Sequence, residues 1–378
     1  MPKQIIYADY AATTPLLQQA YDAMQRFLLS EFANPSQPYS IAREPKKALY
    51  EARQAIAECI NAKPNEIFFT SGGTESDNWA IKGTMLAYGD HRSVITDAIE
   101  HHAVLRSCEA IERLGFPVAY LQPDVHGVIS PYGLKSFISD QTKLISVMLV
   151  NNEIGTIEPI HDLAIVAHDM GAVFHTDAVQ AVGHISVDVK ELGVDMLSAS
   201  AHKFGGPRGV GFLYVHEDVT LPPFMDGGSQ EAGMRAGTEN VAAVVGMAAA
   251  LKTSCREMHE TAQRLYECEK ILVSSLADSR INFIRNGAEH HVPGNVSLSF
   301  RDADGEMLLH RLDLMGICIS TGSACNSINT QHSHVIESIG IPRNYADGTI
   351  RISFGRDSSL KDAEMISSAI IKVLARYL

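Results

Sequence analysis

The 378 residues carry a formal net charge of −13, with 46% hydrophobic and 20% charged residues. A chain of this length can bury a large core and is expected to form two domains. The acidic balance argues against sequence-independent nucleic-acid binding, which needs clustered Lys and Arg. The sequence contains no run of about 18 apolar residues and no signal-peptide pattern. We therefore expect a cytoplasmic protein that binds no membrane and contacts no nucleic acid directly.

Helical and extended patterns alternate along the first two thirds of the chain. Apolar spacing predicts helices over 16–27 and 44–60. Short apolar runs then predict strands, most of them separated by helical patterns, at 67–70, 93–96, 144–150, 172–175, 196–198 and 212–215. Strands separated by helices indicate a mostly parallel sheet that is covered on both faces.

The last third of the chain has a different pattern. A long helix is predicted over 241–276, followed by short strands at 296–300, 317–320 and 349–354 and a helix over 305–314. This order is typical of a smaller α+β domain. The predicted fold class is α/β, with a large mostly parallel-sheet domain over 15–257 and a small domain formed by 1–14 and 258–378.

Six cysteines are scattered along the chain without a CxxC pair, so the sequence predicts neither a disulfide framework nor a metal site. Five are interpreted as small buried hydrophobes or bystanders, namely Cys59, Cys108, Cys255, Cys268 and Cys318. The sixth, Cys325, is considered below.

A glycine pair joins the predicted strand at 67–70 to a helix start, in Ser71-Gly72-Gly73-Thr74. Glycines allow close backbone approach, and N–H groups at a helix N-terminus attract a phosphate. A helix N-cap without a ligand is the alternative at this point. The segment does not fit GxGxxG or GxxxxGK[ST], so dinucleotide and P-loop NTPase sites gain little support.

A lysine follows the strand predicted at 196–198, in the segment SAHKFGGPRGVG over 200–211. Burial disfavours the charged form of an amine, and the neutral amine of Lys203 would form a Schiff base with a carbonyl cofactor. A glycine-rich turn with an incidental lysine is the alternative reading of this segment.

Polar residues follow most of the predicted parallel strands. Ligands of such sheets bind beyond the carboxyl ends of the strands. We therefore expect these side chains at one edge: Thr74, His101, Asn152, Asp177, Gln180, His202 and Lys203. A single histidine such as His101 is more often an ordinary polar residue, but the whole set indicates a ligand site.

A Schiff-base lysine, a phosphate-binding turn and an acid are the requirements of pyridoxal phosphate chemistry, in which a carboxylate keeps the pyridine nitrogen protonated. Asp177 suits that role. Gln180, three residues further on, would reach the ring hydroxyl if the chain turns helically there.

The sequence resembles the cysteine desulfurases, in the class V aminotransferase group of fold-type I pyridoxal phosphate enzymes. The matching segments are modest singly and specific in this order: YADYAATTP, NPS, FFTSGGTESDN, EHHAV, VNNEIGTIEPI, HTDAVQAVG, SAHKFGGPRGVG, GGSQEAGMRAGTEN, STGSAC and RISFG. The resemblance implies a homodimer that uses L-cysteine as substrate and hands sulfur to an acceptor protein.

The resemblance also implies roles for single residues. Lys203 would bind the cofactor and shuttle protons, and His101 would stack on the ring. The phosphate would be held by Gly73, Thr74, Ser200 and His202, together with Thr238 of the neighbouring subunit. Asn152 would contact the cofactor, and Asn152 and Arg351 would bind the substrate carboxylate, a task that suits a guanidinium.

Cys325 would be the nucleophile of the family reaction. L-cysteine would replace Lys203 on the cofactor, its α-proton would be removed, and Cys325 would attack the sulfur. Alanine would leave and a persulfide would stay on Cys325. The acceptor stays open among an iron–sulfur scaffold, a tRNA-thiolation enzyme and a DNA-thiolation enzyme.

Other functions fit the same sequence. One is selenocysteine cleavage or another class V reaction such as amino transfer, and another is a partner-binding scaffold without chemistry. The joint presence of Lys203, Asp177, His101, Arg351 and Cys325 argues against the scaffold. Departures from the family pattern are Arg208 for lysine, Thr321 for serine, Ser229 for glycine and His332 for proline.

Overall fold

A computed structural model describes residues 5–88, 92–321 and 333–375 of the chain. Its helices are α1 Gln18–Leu29, α2 Arg43–Cys59, α3 Gly73–Asn78, α4 Thr84–Tyr88, α5 His102–Arg113, α6 Pro131–Phe137, α7 Ile160–Asp169, α8 Val189–Leu192, α9 Val241–Asp278, α10 Gly305–Leu314, α11 His334–Ser338, α12 Arg343–Ala346 and α13 Leu360–Leu374. Its strands are β1 Ile6–Tyr7, β2 Ile67–Thr70, β3 Ser93–Asp97, β4 Val118–Leu121, β5 Thr142–Ser146, β6 Val173–Asp177, β7 Met196–Ser200, β8 Gly211–Val215, β9 Phe283–Asn286, β10 Asn295–Phe300, β11 Ile317–Cys318 and β12 Thr349–Ser353.

The main sheet of the described ranges has the strand order β2-β8-β7-β6-β5-β3-β4. Strands β7, β6, β5, β3 and β4 are parallel neighbours, whereas β8 runs antiparallel to both β2 and β7. Every residue of β7 and β8 is buried, as expected for strands covered on both faces. The predicted α/β fold with a mostly parallel sheet is confirmed.

The predicted strand over 144–150 is too long at its C-terminal end, because β5 ends at Ser146. The apolar run continues buried beyond that point. There the N–H groups of Val147 and Leu149 donate to the carbonyls of His175 and Asp177 outside the regular ladder. Hydrophobicity alone cannot distinguish a strand from a buried segment that still follows its neighbour.

The long helix α9 joins two hydrophobic clusters. Its first part contributes Val244, Met247 and Leu251 to the core beside the main sheet. Its last part contributes Leu265 and Leu272 to a second cluster around β10 and β12. The helix predicted over 241–276 is thus confirmed within two residues at its C-terminal end, while the predicted domain boundary stays a prediction.

The N-terminal segment runs from the second cluster to the main sheet. Strand β1 pairs in parallel with β11, and Asp9 bridges to Ser353, the last residue of β12. Thr14 then donates its backbone N–H to the carbonyl of His202. Residues 5–14 therefore cross the edge of the sheet where the site is expected. None of the described helices is both long and apolar enough to span a membrane.

Candidate active site

A cavity of about 320 Å³ lies at the carboxyl ends of the central strands, in the size range of small-molecule sites, roughly 300–1,000 Å³. Ten of the predicted site residues line it: Gly73, Thr74, His101, Asn152, Asp177, Gln180, Ser200, His202, Lys203 and Arg351. Thr238 is exposed and lies outside this cavity. Cys325 and His332 fall outside the described residues.

Three backbone segments meet closely at one end of the cavity. Gly211 pairs with both Thr70 of β2 and Ser200 of β7. A Cβ at Gly211 would lie 2.4 Å from the Ala199 carbonyl oxygen and 2.7 Å from the Cα of Gly72. Only glycine permits this approach, which brings the turn after β2 next to the end of β7.

The glycine turn itself has no room for side chains. Gly72 has a φ of 149°, in a region that glycine adopts readily. A Cβ at Gly73 would lie 2.5 Å from Cγ2 of Val179, another residue of the cavity wall. The turn therefore presents backbone atoms to the cavity. Its neighbour His202 bonds Thr13 Oγ1 through Nδ1 at 3.1 Å.

Two buried carboxyl groups, those of Asp177 and Asp77, line the cavity. Asp177 ends β6, is 4% exposed, and accepts the Val179 N–H on Oδ1 at 2.9 Å. Burial raises its pKa to about 6, against the opposing effects of the Val179 N–H and Lys203. Asp77 is 1% exposed beside it, and burial and Asp177 raise its pKa well above the usual value. Oδ1 of Asp77 is buried without a hydrogen-bond partner in the described structure.

A neutral histidine, His175, lies next to these carboxyl groups. His175 precedes Asp177 by two residues on β6, so both side chains point to the same face of the sheet. Its Nδ1 and Nε2 bond the hydroxyls of Ser146 and Ser198 at 2.9 and 3.0 Å. Burial lowers the pKa of His175 to about 3, so this ring brings no positive charge to the carboxylates near neutral pH.

His101 is held in one tautomer. Its Nδ1 accepts the Ala103 N–H at 3.1 Å as the N-cap of α5. Burial, reinforced by Lys203, lowers the pKa of His101 to about 4. The neutral ring therefore carries its hydrogen on Nε2 and is a hydrogen-bond donor there.

The N-terminal segment contacts Lys203. The Nζ of Lys203 donates hydrogen bonds to the carbonyl oxygens of Ala11 and Ala12 at 2.6 and 2.9 Å. The Ala11 carbonyl also accepts the side-chain amide of Gln180 at 2.9 Å. The amide of Gln180 is thus bonded to backbone at the cavity wall, and its predicted contact with a ring hydroxyl stays a prediction.

Arg351 of β12 lines the same cavity as Lys203. Its guanidinium donates to Oδ1 of Asp9 at 2.7 Å and to the Asn152 carbonyl at 2.8 Å. Its Nε is buried without a partner in the described residues. Glu153 lies next to it, and burial raises the pKa of that carboxyl to about 7, opposed by Ser333 and Arg351. The guanidinium is oriented and keeps hydrogen-bonding capacity.

Several cavity residues were not predicted from the sequence. They are Ala11, Ala12, Asp77, His102, Met148, Glu153, Val179, Ser333 and His334. His102 and Glu153 directly follow predicted site residues, and this proximity in sequence could have identified them as cavity residues. Ser333 and His334 reach the cavity from the last part of the chain through the tertiary fold, and no local pattern marks them.

The family profile of class-V aminotransferases matches residues 6–366. A cysteine desulfurase IscS from Dictyoglomus turgidum is 45% identical over 377 residues, which cover 99% of this chain and 95% of the relative. The chain belongs to the cysteine desulfurases of the class-V aminotransferase family.

Solved structures agree with this family. A NifS-like protein superposes with a TM-score of 0.93 at 33% identity, covering 99% of this chain and 100% of the other. A structure of SspA in complex with cysteine superposes with a TM-score of 0.83 at 36% identity, covering 92% of this chain and 98% of the other.

Members of this family use pyridoxal phosphate, and the cavity fits that group. The buried carboxylate of Asp177 matches a protonated ring nitrogen, whose positive charge would offset the cost of burying the acid. The turn at Gly73 presents backbone atoms beside Ser200 and His202, a suitable arrangement for binding a phosphate. The Lys203 amine lies in the same cavity.

Proposed function

We propose that the chain is a cysteine desulfurase that converts L-cysteine to L-alanine and transfers the sulfur to Cys325 as a persulfide. The observation that carries this proposal is the single cavity that holds Lys203, Asp177 and Arg351 together. These residues supply an amine, an acid for a ring nitrogen and a carboxylate-binding guanidinium.

The cofactor would be held by the predicted set: Gly73, Thr74, His101, Asn152, Asp177, Gln180, Ser200, His202 and Lys203. When bound, pyridoxal phosphate draws electrons away from the substrate carbon. Asp177 would keep the ring nitrogen protonated. Lys203 would carry the α-proton, because its amine lies in the cavity. To do so, the amine would give up its hydrogen bonds to the Ala11 and Ala12 carbonyls.

The substrate carboxylate would bind Arg351 and Asn152. Arg351 is 5% exposed and is oriented by Asp9 and the Asn152 carbonyl. Little side-chain entropy is therefore lost when its guanidinium binds a carboxylate. A Lys replacement would remove the forked geometry that this role needs.

Cys325 would complete the reaction as the nucleophile. Its thiolate forms an S–S bond with the substrate sulfur, and the C–S bond breaks with its electron pair staying on carbon. The carbon takes up a proton and becomes the methyl group of alanine. The enzyme keeps the sulfur for an acceptor protein in iron–sulfur cluster assembly, tRNA thiolation or DNA thiolation.

We further propose that the chain works as a homodimer in the cytoplasm, where thiols stay reduced. The described cysteines are free thiols. Thr238 is exposed on its own chain, as a residue must be if it completes the phosphate site of a neighbour.

The persulfide is the decisive product. The purified protein should be yellow and, after incubation with L-cysteine, should gain the mass of one sulfur atom on the peptide that contains Cys325. Cys325→Ser should keep the colour and gain no sulfur. Lys203→Ala should lose the absorbance of the lysine-bound cofactor. Undiminished sulfide release by Cys325→Ser would remove that residue from the reaction.

A further inference from the structure

His334 lines the cavity and has one ring nitrogen without a hydrogen-bond partner among the described residues. It is the first residue of α11, and its Nε2 lies 3.0 Å from the backbone carbonyl of Glu100. A carbonyl oxygen only accepts hydrogen bonds, so the neutral ring must carry its hydrogen on Nε2. The lone pair of the ring is therefore on Nδ1.

Nδ1 of His334 is accessible and has no hydrogen-bond partner among the described residues. No described residue donates a hydrogen bond to it, and it is absent from the buried polar atoms that lack a partner. The ring is partly exposed and lines the same cavity as Lys203 and Arg351. A small molecule bound there would lie beside a ring whose lone-pair direction is fixed by the Glu100 carbonyl.

The surroundings keep His334 unprotonated. Burial lowers its pKa, His102 and Arg106 add to this effect, and the Glu100 carbonyl and Glu337 oppose it. The ring of His102 lies 5.0 Å away from that of His334. Near neutral pH the side chain is a base.

The two fixed histidines are complementary. His101 presents an N–H donor because Ala103 occupies its Nδ1, whereas His334 presents an acceptor because the Glu100 carbonyl occupies its Nε2. Both line one cavity. Of these two, only His334 can take up a proton without first giving up a backbone hydrogen bond.

We propose that His334 is a catalytic residue that accepts, through Nδ1, the sulfhydryl proton of bound L-cysteine. This inference rests on the proposed function. The S–H proton moves to Nδ1 while the substrate sulfur bonds to the Cys325 thiolate and its bond to carbon breaks. The sulfur is oxidised to the persulfide level, and the carbon is reduced as it keeps the electron pair and takes up a proton. No outside oxidant is required.

Two substitutions distinguish a role of His334 as a base from a purely structural role. His334→Gln keeps an N–H donor for the Glu100 carbonyl but replaces the base with an amide, and His334→Ala removes both. With L-cysteine we expect both variants to lose about 100-fold or more in kcat, the scale of general-base catalysis. Bound-cofactor absorbance, and the L-cysteine concentration that half-saturates its change, should match the parent and show that the site is intact.

L-selenocysteine provides the chemical control, because its selenol is a stronger acid than a thiol and is ionised at neutral pH. Both variants should therefore cleave L-selenocysteine at nearly the parent rate. Recovery of L-cysteine activity in His334→Gln, or equal losses on both substrates, would show a structural role and overturn the inference. A parent chain inactive on both substrates would overturn the proposed function and this inference with it.

Discussion

Asp177 belongs to a group of buried carboxyls near the ends of the sheet strands. Asp77, Asp97 and Glu100 are each at most 1% exposed, and burial raises the pKa of all three. In the protein without cofactor these acids oppose folding once they ionise. Of these acids, Asp77 and Asp177 line the cavity in which a positively charged ring nitrogen would bind.

Asp177→Asn should stabilise the cofactor-free protein at alkaline pH. The native state raises the pKa of Asp177 from 3.8 to about 6, so the native state holds the proton more tightly than the unfolded chain. This contribution to stability is present below the unfolded value and is lost as the pH rises through about 6. The asparagine variant should gain about 3 kcal/mol near pH 8 and nothing near pH 3.

Urea unfolding of the cofactor-free protein at the two pH values measures the difference. The exposed Asp140→Asn is the control and should change the stability little at either pH. With pyridoxal phosphate present the gain should reverse, since the variant lacks the anion that pairs with the ring nitrogen. Equal stability of Asp177→Asn and its parent near pH 8 would contradict the argument.

The junction of β2, β7 and β8 holds the glycine turn in place. Strand β8 can lie between its two neighbours at this point because Gly211 has no side chain. The position of the turn over 71–74 therefore depends on a residue that lies about 140 positions further along the chain and outside the turn itself.

Gly211→Ala should weaken cofactor binding without changing any cofactor-contacting residue. The new Cβ would have to move away from the Ala199 carbonyl and the backbone of Gly72, which displaces the turn. We expect at least about tenfold weaker pyridoxal phosphate binding, or about 1.4 kcal/mol, measured by absorbance titration. Gly133→Ala in α6 is the control, because its Cβ meets only Ser130 Cβ at 3.6 Å. Unchanged affinity in Gly211→Ala would contradict this account.

The sequence predicted the elements that have clear periodicity or breaks, namely the alternation of strands and helices and α9. Seven of the ten cavity residues were predicted because polar side chains follow apolar strands at one sheet edge, whereas Gly73, Ser200 and Arg351 were assigned through the family resemblance. Strand β4 was missed because three of its four residues are only half-buried. His334 was missed because its function depends on a backbone carbonyl of Glu100, over 200 residues away, which no local pattern encodes.

At the scale of the molecule, large apolar side chains are exposed along α1 and the segment before α2. Leu29 is 79% exposed, Phe32 74% and Ile41 64%. Phe27 of α1 and Ala48 of α2 share one small cluster with α9, so these segments lie close together. Such exposure marks protein contact surfaces, and we propose this surface as part of the homodimer interface.

The double substitution Leu29→Asp with Phe32→Asp should convert the proposed dimer to a monomer, because each new charge would be buried against the other subunit. Light scattering after size-exclusion chromatography should give the mass of one chain instead of two. Cofactor affinity should fall as well, since the phosphate contact proposed for Thr238 of the neighbour would be lost. Leu114→Asp, at an exposed position after α5, is the control and should stay dimeric. A dimeric double variant would place the interface elsewhere.

The path of residues 5–14 also has a consequence for biosynthesis. Ile6 pairs with Ile317, which the ribosome adds 311 residues later, or about 15 to 60 s later at ordinary elongation rates. Until then the N-terminal end of this segment lacks its strand partner, although its contacts with Gln180 and His202 involve residues that are already translated. The segment beside the reactive amine is therefore anchored at both ends only when synthesis of the polypeptide is nearly finished.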